Sequence, residues 1–248
     1  MPKIIGIVSG KGGTGKTVSS INIALALHQF GEEVVVVDAD TTASSLGLHL
    51  GFYTFPNKLQ DVLNDEIDIS RAIYMHHTGL KLVPSSIDLD SLSADVSNLR
   101  LALNKLEGTV IVDAPPGLDK DSQAVLDACD EIIVVTNPEI PTVANAVKVA
   151  RMAADMKKNV LGVVITRMKN APWELRPEEV EMMCEVPVVG IVPEDWNVNK
   201  SIFDKVPVVA HSPYSQAAIE YKKLAARLIG KTYEPPKYIG LKKLLRLI

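Results

Sequence analysis

Cysteine is scarce in this chain. Only Cys129 and Cys184 occur among 248 residues, widely separated, which excludes a disulfide-stapled miniprotein and a cysteine-rich metal centre and suits a reducing compartment. Long apolar runs are missing too: nowhere do the roughly 18 consecutive apolar residues of a bilayer-spanning helix occur. The opening run Ile4-Ile5-Gly6-Ile7-Val8 yields to glycine too soon to form the apolar region of a secretory signal. Basic charge is in deficit, with 26 Lys and Arg against 30 Asp and Glu. The surface as a whole is therefore not the footprint of a nucleic-acid-coating protein. The expectation is a cytoplasmic protein, at most held peripherally on the cytoplasmic face of the cell membrane.

What is present points to an ordinary folded domain, since apolar residues make up 47% and charged residues 23%. Short β-branched runs recur at Ile4–Val8, Val34–Val37, Leu80–Val83, Val110–Val112, Ile132–Val135, Val160–Ile165 and Val188–Val192. Strands that are apolar at every position are buried on both faces, which predicts a doubly wound, mostly parallel sheet in a three-layer αβα domain. Helical spacing predicts helices over Lys16–Phe30, Asp88–Leu106, Ser122–Cys129, Thr142–Met156, Pro177–Cys184 and Pro213–Ile229. Pro235 and Pro236 stop the last of these, so the organisation reads as a domain over 1–230, a linker over 231–237 and a tail over 238–248.

The segment Gly10-Lys11-Gly12-Gly13-Thr14-Gly15-Lys16-Thr17 fits G-x-x-x-x-G-K-[ST] and lies between an apolar strand and a helical pattern, as a P-loop must. Glycines let successive N–H groups point at phosphate oxygens, and the helix N-terminus adds its positive dipole end. Lys16 then supplies a point charge to the outer phosphates, Thr17 places its hydroxyl on Mg²⁺, and Val18 follows at the helix start.

Two further segments carry acids at strand ends. Asp38-Ala39-Asp40 follows four valines, and its two-residue spacing predicts both carboxylates on one side, where one acid would hold a metal-bound water and the other orient the attacking water. The same pattern also suits a loop that caps the next helix. Asp113-Ala114-Pro115-Pro116-Gly117 sets a third carboxylate at the same sheet edge, and alone reads equally well as a strand-end turn.

With Lys11 ahead of the glycines, the loop resembles the deviant Walker A motif of the MinD/ParA family of ATPases. That resemblance covers roughly residues 3–230. It implies that two subunits sandwich two ATP molecules, that Lys11 reaches the partner's nucleotide, that Asp40 activates water, and that Asp38 and Asp113 hold Mg²⁺ through water. Gly117 would sense the γ-phosphate through its N–H. Thr136-Asn137-Pro138-Glu139 and Ile191-Val192-Pro193-Glu194-Asp195 are similar to further strand ends of the family, and Pro193, Glu194 and Asp195 would flank adenine. Thr166-Arg167 stands where many members carry Asn-Arg, with a hydroxyl in place of the amide that contacts the base. The segment after Asp40 lacks the proline-glutamine frequent in partition-type ParA proteins, which favours the MinD branch.

The tail completes that picture. Wound at about 100° per residue, Lys242, Lys243 and Arg246 share one face and Tyr238, Leu241, Leu244, Leu245, Leu247 and Ile248 mostly the other. This is the pattern of a basic amphipathic helix on an anionic membrane surface, although it also suits a last helix packed on the core. It is similar in place and character to the membrane-targeting end of the MinD branch. One copy would bind weakly, whereas two copies on a homodimer formed with ATP would add their free energies. The resemblance thus implies an ATPase that dimerises, sits on the membrane, meets an activator or effector protein and leaves after hydrolysis. The alternatives are a ParA-like partition protein that binds DNA, which the acidic balance disfavours, an iron–sulfur carrier, which the cysteine spacing disfavours, and a nucleotide-holding scaffold. His76-His77 reads as a solvated turn, and Trp173 and Trp196 as local packing.

Overall fold

The computed structural model describes residues 1–41, 44–86 and 96–237. The tail over 238–248 and most of the first half of the helix expected over Asp88–Leu106 lie outside the described residues.

Eight strands are found among the described residues: β1 (Lys3–Val8), β2 (Val34–Asp38), β3 (Tyr74–Met75), β4 (Lys81–Val83), β5 (Thr109–Asp113), β6 (Glu131–Thr136), β7 (Asn159–Met168) and β8 (Val188–Pro193). They form one sheet in the order β3-β4-β2-β5-β1-β6-β7-β8, in which only the β3–β4 pair is antiparallel. The helices are α1 (Lys16–Gln29), α2 (Leu46–His49), α3 (Leu59–Leu63), α4 (Leu99–Leu103), α5 (Lys120–Ala128), α6 (Ile140–Asp155), α7 (Pro177–Cys184), α8 (Trp196–Phe203), α9 (Val208–His211) and α10 (Gln216–Leu228).

The inner strands β1, β2, β5 and β6 are buried at all but their first residues, β2 at all five. Their alternating side chains feed two separate cores. Ile4, Val35, Val37, Val112 and Val134 pack with Leu99 of α4, Val125 of α5, Val149 of α6 and Val180 of α7. Ile5, Ile7, Val34, Val36 and Ile133 pack on the opposite face with Leu25 of α1 and Tyr221 and Leu224 of α10. The three-layer αβα expectation holds, because the inner strands have no polar face left to give to solvent.

Helix starts follow their capping residues. Asp119 accepts from the Ser122 N–H at 2.9 Å and opens α5, and Ser215 accepts from the Ala218 N–H at 3.2 Å and opens α10. Within the described part of the helix expected over Asp88–Leu106, a 3₁₀ turn at Val96–Asn98 leads into the short α4. The strand β3 and the helices α2, α3, α8 and α9 have no counterpart in the sequence expectations; all but the eight-residue α8 are too short for periodicity to register.

The connections fix where a ligand can go. From β1 the chain runs through α1 to β2 on one side, while β5 runs through α5 to β6 on the other side of β1. The strand order reverses there, and the carboxyl ends of β1, β2 and β5 open onto one crevice.

Candidate functional site

The glycine-rich segment fills this crevice. Gly13 and Gly15 have φ of 79° and 87°, a left-handed conformation that a side chain would strain, and these two turns curl the loop over the start of α1. The loop borders a cavity of about 310 Å³ lined by Ser9, Gly12 to Val18, Asp40, Ser45, His49, Pro116, Arg167 and Ile202. Gly10 and Lys11 lie outside its wall. The side chain of Lys11 is exposed, whereas Lys16 is buried and its Nζ stands 3.0 Å from Asp113 Oδ1. Ser20 Oγ donates to the same oxygen at 2.9 Å. Thr17 Oγ1 lies 3.2 Å from Ser45 Oγ at the cavity's edge. Thr14 Oγ1 is buried with no hydrogen-bond partner among the described residues. Left-handed glycines, a buried lysine, two threonine hydroxyls and a carboxylate around one cavity fit a phosphate chain with its divalent cation.

The two acids at the end of β2 part company. Asp40 lines the cavity, but Asp38 is fully buried beneath it. The shared side expected from their spacing is corrected here, because β2 ends at Asp38 and the Asp40 N–H turns back to donate to Asp38 Oδ1 at 3.1 Å. Asp38 Oδ2 accepts from Ser44 Oγ at 2.8 Å and from the Leu46 N–H at 3.2 Å, and so anchors the start of α2. Asp38 also faces Asp113 across the β2–β5 ladder. Burial first, and then the Asp113 charge, raise the Asp38 pKa from 3.8 to about 7. The Gly117 N–H donates to the Ser9 carbonyl at 3.0 Å. A γ-phosphate-sensing role for that N–H therefore requires this bond to break.

A second pocket adjoins the first through Gly15, Val18, Arg167 and Ile202. Its remaining walls are Thr166, Val192, Pro193, Glu194, Asp195, Val198, Asn199 and Tyr221. Thr166 does line it, but its hydroxyl is spent elsewhere. Thr166 Oγ1 donates to the Thr14 carbonyl and accepts from Asn137 Nδ2 at 3.0 Å, which ties the end of β7 to the phosphate loop. The side chain of Asp195 is likewise committed. Its Oδ1 accepts from the Asn197 N–H at 2.9 Å and its Oδ2 from the Ala217 N–H at 3.1 Å, capping α8 and holding the start of α10. Burial opposes its charge, yet these backbone donors prevail and its pKa is lowered. Asp195 thus lines the second pocket with both carboxylate oxygens engaged by backbone donors.

Ser45 and His49 on the phosphate side, and Val198, Asn199, Ile202 and Tyr221 on the other, are site residues that the motifs did not reveal. The signal for α8 was present, since Asp195 precedes Val198 and Ile202 at helical spacing. Other expectations are corrected. Of the pair expected as a solvated turn, His77 is exposed in a turn, but His76 is buried, with its ring nitrogens against Thr78 Oγ1 at 2.8 Å and the Lys205 carbonyl at 3.1 Å. Trp173 and Trp196 are 81% and 69% exposed rather than packed. Among the described residues there is no group of three or more His, Cys, Asp and Glu placed to hold a metal, and no helix is long and apolar enough to cross a membrane.

Comparison with known proteins agrees with this geometry. The family described as the CobQ/CobB/MinD/ParA nucleotide binding domain matches residues 5–208. The crystal structure of the cell division ATPase MinD of Pyrococcus furiosus superposes with a TM-score of 0.87 at 33% identity, covering 93% of this chain and 99% of that one. The septum site-determining protein MinD of Pyrococcus horikoshii, solved in complex with Mg-ADP, gives 0.87 at 32% identity over 92% of this chain and 96% of its own. An uncharacterised ATP-binding protein of Methanocaldococcus jannaschii is 37% identical over 234 residues, 93% of this chain and 89% of that protein. With the loop, the strand-end acids and the sheet order all in place, the chain belongs to the CobQ/CobB/MinD/ParA nucleotide-binding family.

Proposed function

We propose that this protein is a MinD-like ATPase that dimerises with ATP, attaches to the membrane surface through residues 238–248 and is released after hydrolysis, acting in division-site placement or spatial positioning. One observation carries the catalytic part: Lys16, Thr17 and the loop glycines after β1, Asp40 after β2 and Pro116 after β5 surround one cavity. The loop N–H groups would cradle the phosphates, and Lys16, which has three protons and spends one on Asp113, would turn the others toward the outer phosphates. Thr17 would hold Mg²⁺ through its hydroxyl, with Asp38 and Asp113 acting from beneath through water. When bound, the cation neutralises charge on the phosphate oxygens. Asp40, at the cavity wall, would align the attacking water and accept its proton at a carboxylate oxygen, giving ADP and phosphate. Lys11 sits beside the cavity with its side chain in solvent, as suits a cation delivered across a dimer to the partner's nucleotide. Pro193, Glu194 and the base-side pocket would hold the adenine.

The membrane part rests on the amphipathic sequence of the tail, with Lys242, Lys243 and Arg246 on its basic face. Its test is sedimentation with anionic liposomes. Full-length protein and a truncation ending at Pro236 are compared in ATP, on an Asp40→Ala background that holds the dimer, and in ADP. Binding that needs ATP and vanishes on truncation is the expected result. Absence of lipid binding in both nucleotides overturns it, and salt-sensitive DNA binding would then place the protein with partition ATPases. Phosphate release lost in Asp40→Ala separates an enzyme from a nucleotide-holding scaffold.

A further inference from the structure

The geometry points to Asn199 as the side chain that selects the base of the bound nucleotide. This inference rests on the nucleotide-binding reading above. Of the polar side chains around the base-side pocket, three are already committed: Thr166 to the Thr14 carbonyl, Asp195 to the N-termini of α8 and α10, and Tyr221 to Ser19 Oγ at 3.2 Å. Arg167, Glu194 and Asn199 remain among the described residues lining that pocket.

These three differ in what they can read. The edge of adenine presents a 6-amino donor beside a ring-nitrogen acceptor, and a carboxamide matches it with one acceptor and one donor. Arginine only donates, and an ionised glutamate only accepts, so neither matches both atoms. Arg167 also lines the phosphate cavity, where its charge is better placed. Asn199 is the one carboxamide lining the pocket. It sits on α8 between Val198 and Ile202, which also line the pocket, and three residues before Ile202 it shares that helix flank. The apolar walls Val18, Val192, Val198 and Ile202 would take the ring faces, and Asn199 at the exposed rim would take the edge. The amide that Thr166 fails to supply on β7 is thus supplied from the opposite wall.

The test is calorimetric titration of the full-length wild type, Asn199→Ala and Asn199→Asp with Mg²⁺ and ATP, GTP or purine riboside triphosphate, which lacks the 6-amino group. The wild type is expected to bind ATP at least about 5-fold more tightly than purine riboside triphosphate, which keeps the ring-nitrogen acceptor but lacks the 6-amino donor of the pair. Asn199→Ala should weaken ATP more than purine riboside triphosphate, which loses only the ring-nitrogen contact, so that the ratio between the two falls toward one. Asn199→Asp should shift the ATP-to-GTP ratio toward GTP. A wild type that binds ATP and purine riboside triphosphate equally overturns the inference without any mutant. So does an Asn199→Ala variant that keeps its selectivity, or that weakens all three ligands equally, for then Asn199 packs rather than reads. A wild type that binds none of them overturns the nucleotide-binding reading itself, and this inference falls with it.

Discussion

Replacing Thr166 by valine removes one hydroxyl and keeps the branched shape. That hydroxyl joins β7 to the phosphate loop, donating to the Thr14 carbonyl and accepting from Asn137 Nδ2 at 3.0 Å, at a residue only 3% exposed. Asn137 keeps a second contact to the Thr166 carbonyl at 3.3 Å, so its amide is not stranded. The Thr14 carbonyl loses its short bond and is left with Asn137 Nδ2 at 3.5 Å. Leaving one buried acceptor poorly satisfied costs about 1–3 kcal/mol, more than the net worth of an average hydrogen bond. For a domain of this size each kcal/mol moves Tm by about 2–4 °C, so Thr166→Val should melt about 2–12 °C below wild type. Thr166→Ser, which restores the hydroxyl, should recover most of that loss. Scanning calorimetry of the three proteins decides the matter. A valine variant that melts within about 1 °C of wild type, or a serine variant that falls as far as valine, refutes the tether.

Asp38, its pKa raised from 3.8 to about 7 by burial and by Asp113, keeps a proton that the unfolded chain has released above pH 4, so stability should fall as pH rises from about 4 to about 7. Asp38→Asn should flatten that part of the profile, a change of the order of a few kcal/mol, and urea melts between pH 5 and 8 with an unchanged slope would contradict it. Lys11→Ala should melt with wild type, because the side chain is exposed, and should retain ADP binding. Its ATP hydrolysis should fall about 10³-fold or more, as when an arginine finger is withdrawn. A matching loss of ADP affinity would instead place Lys11 on its own subunit's nucleotide. Asp195→Ala strips the cap of α8 and the acceptor of the Ala217 N–H, each worth about 0.5–2 kcal/mol, and should lower Tm measurably more than Asp195→Asn does.

What the sequence disclosed was local. The runs Val34–Val37 and Ile132–Val135 read as strands buried on both sides, and Gly10 to Thr17 as a tight turn into a helix, because β-branched composition and glycine's backbone freedom act over a few residues. The Lys11, Lys16 and Asp40 positions followed from the same short motifs. Where a motif residue spends its side chain was not legible. Thr166 bonds to Thr14 across 152 positions, and Lys16 to Asp113 across 97.

Tertiary structure decided those partnerships. The order β4-β2-β5-β1-β6 sets Asp38 beside Asp113 and beneath the loop, which buries one acid of the pair while its neighbour Asp40 lines the cavity. The same assembly brings α8 to a pocket shared with Val18 of α1 and Thr166 of β7, so that Val198, Asn199 and Ile202 become pocket walls although no motif contains them. Local periodicity determines which face of an element is apolar, but hydrogen-bond saturation and charge depend on what the completed fold places within about 3 Å.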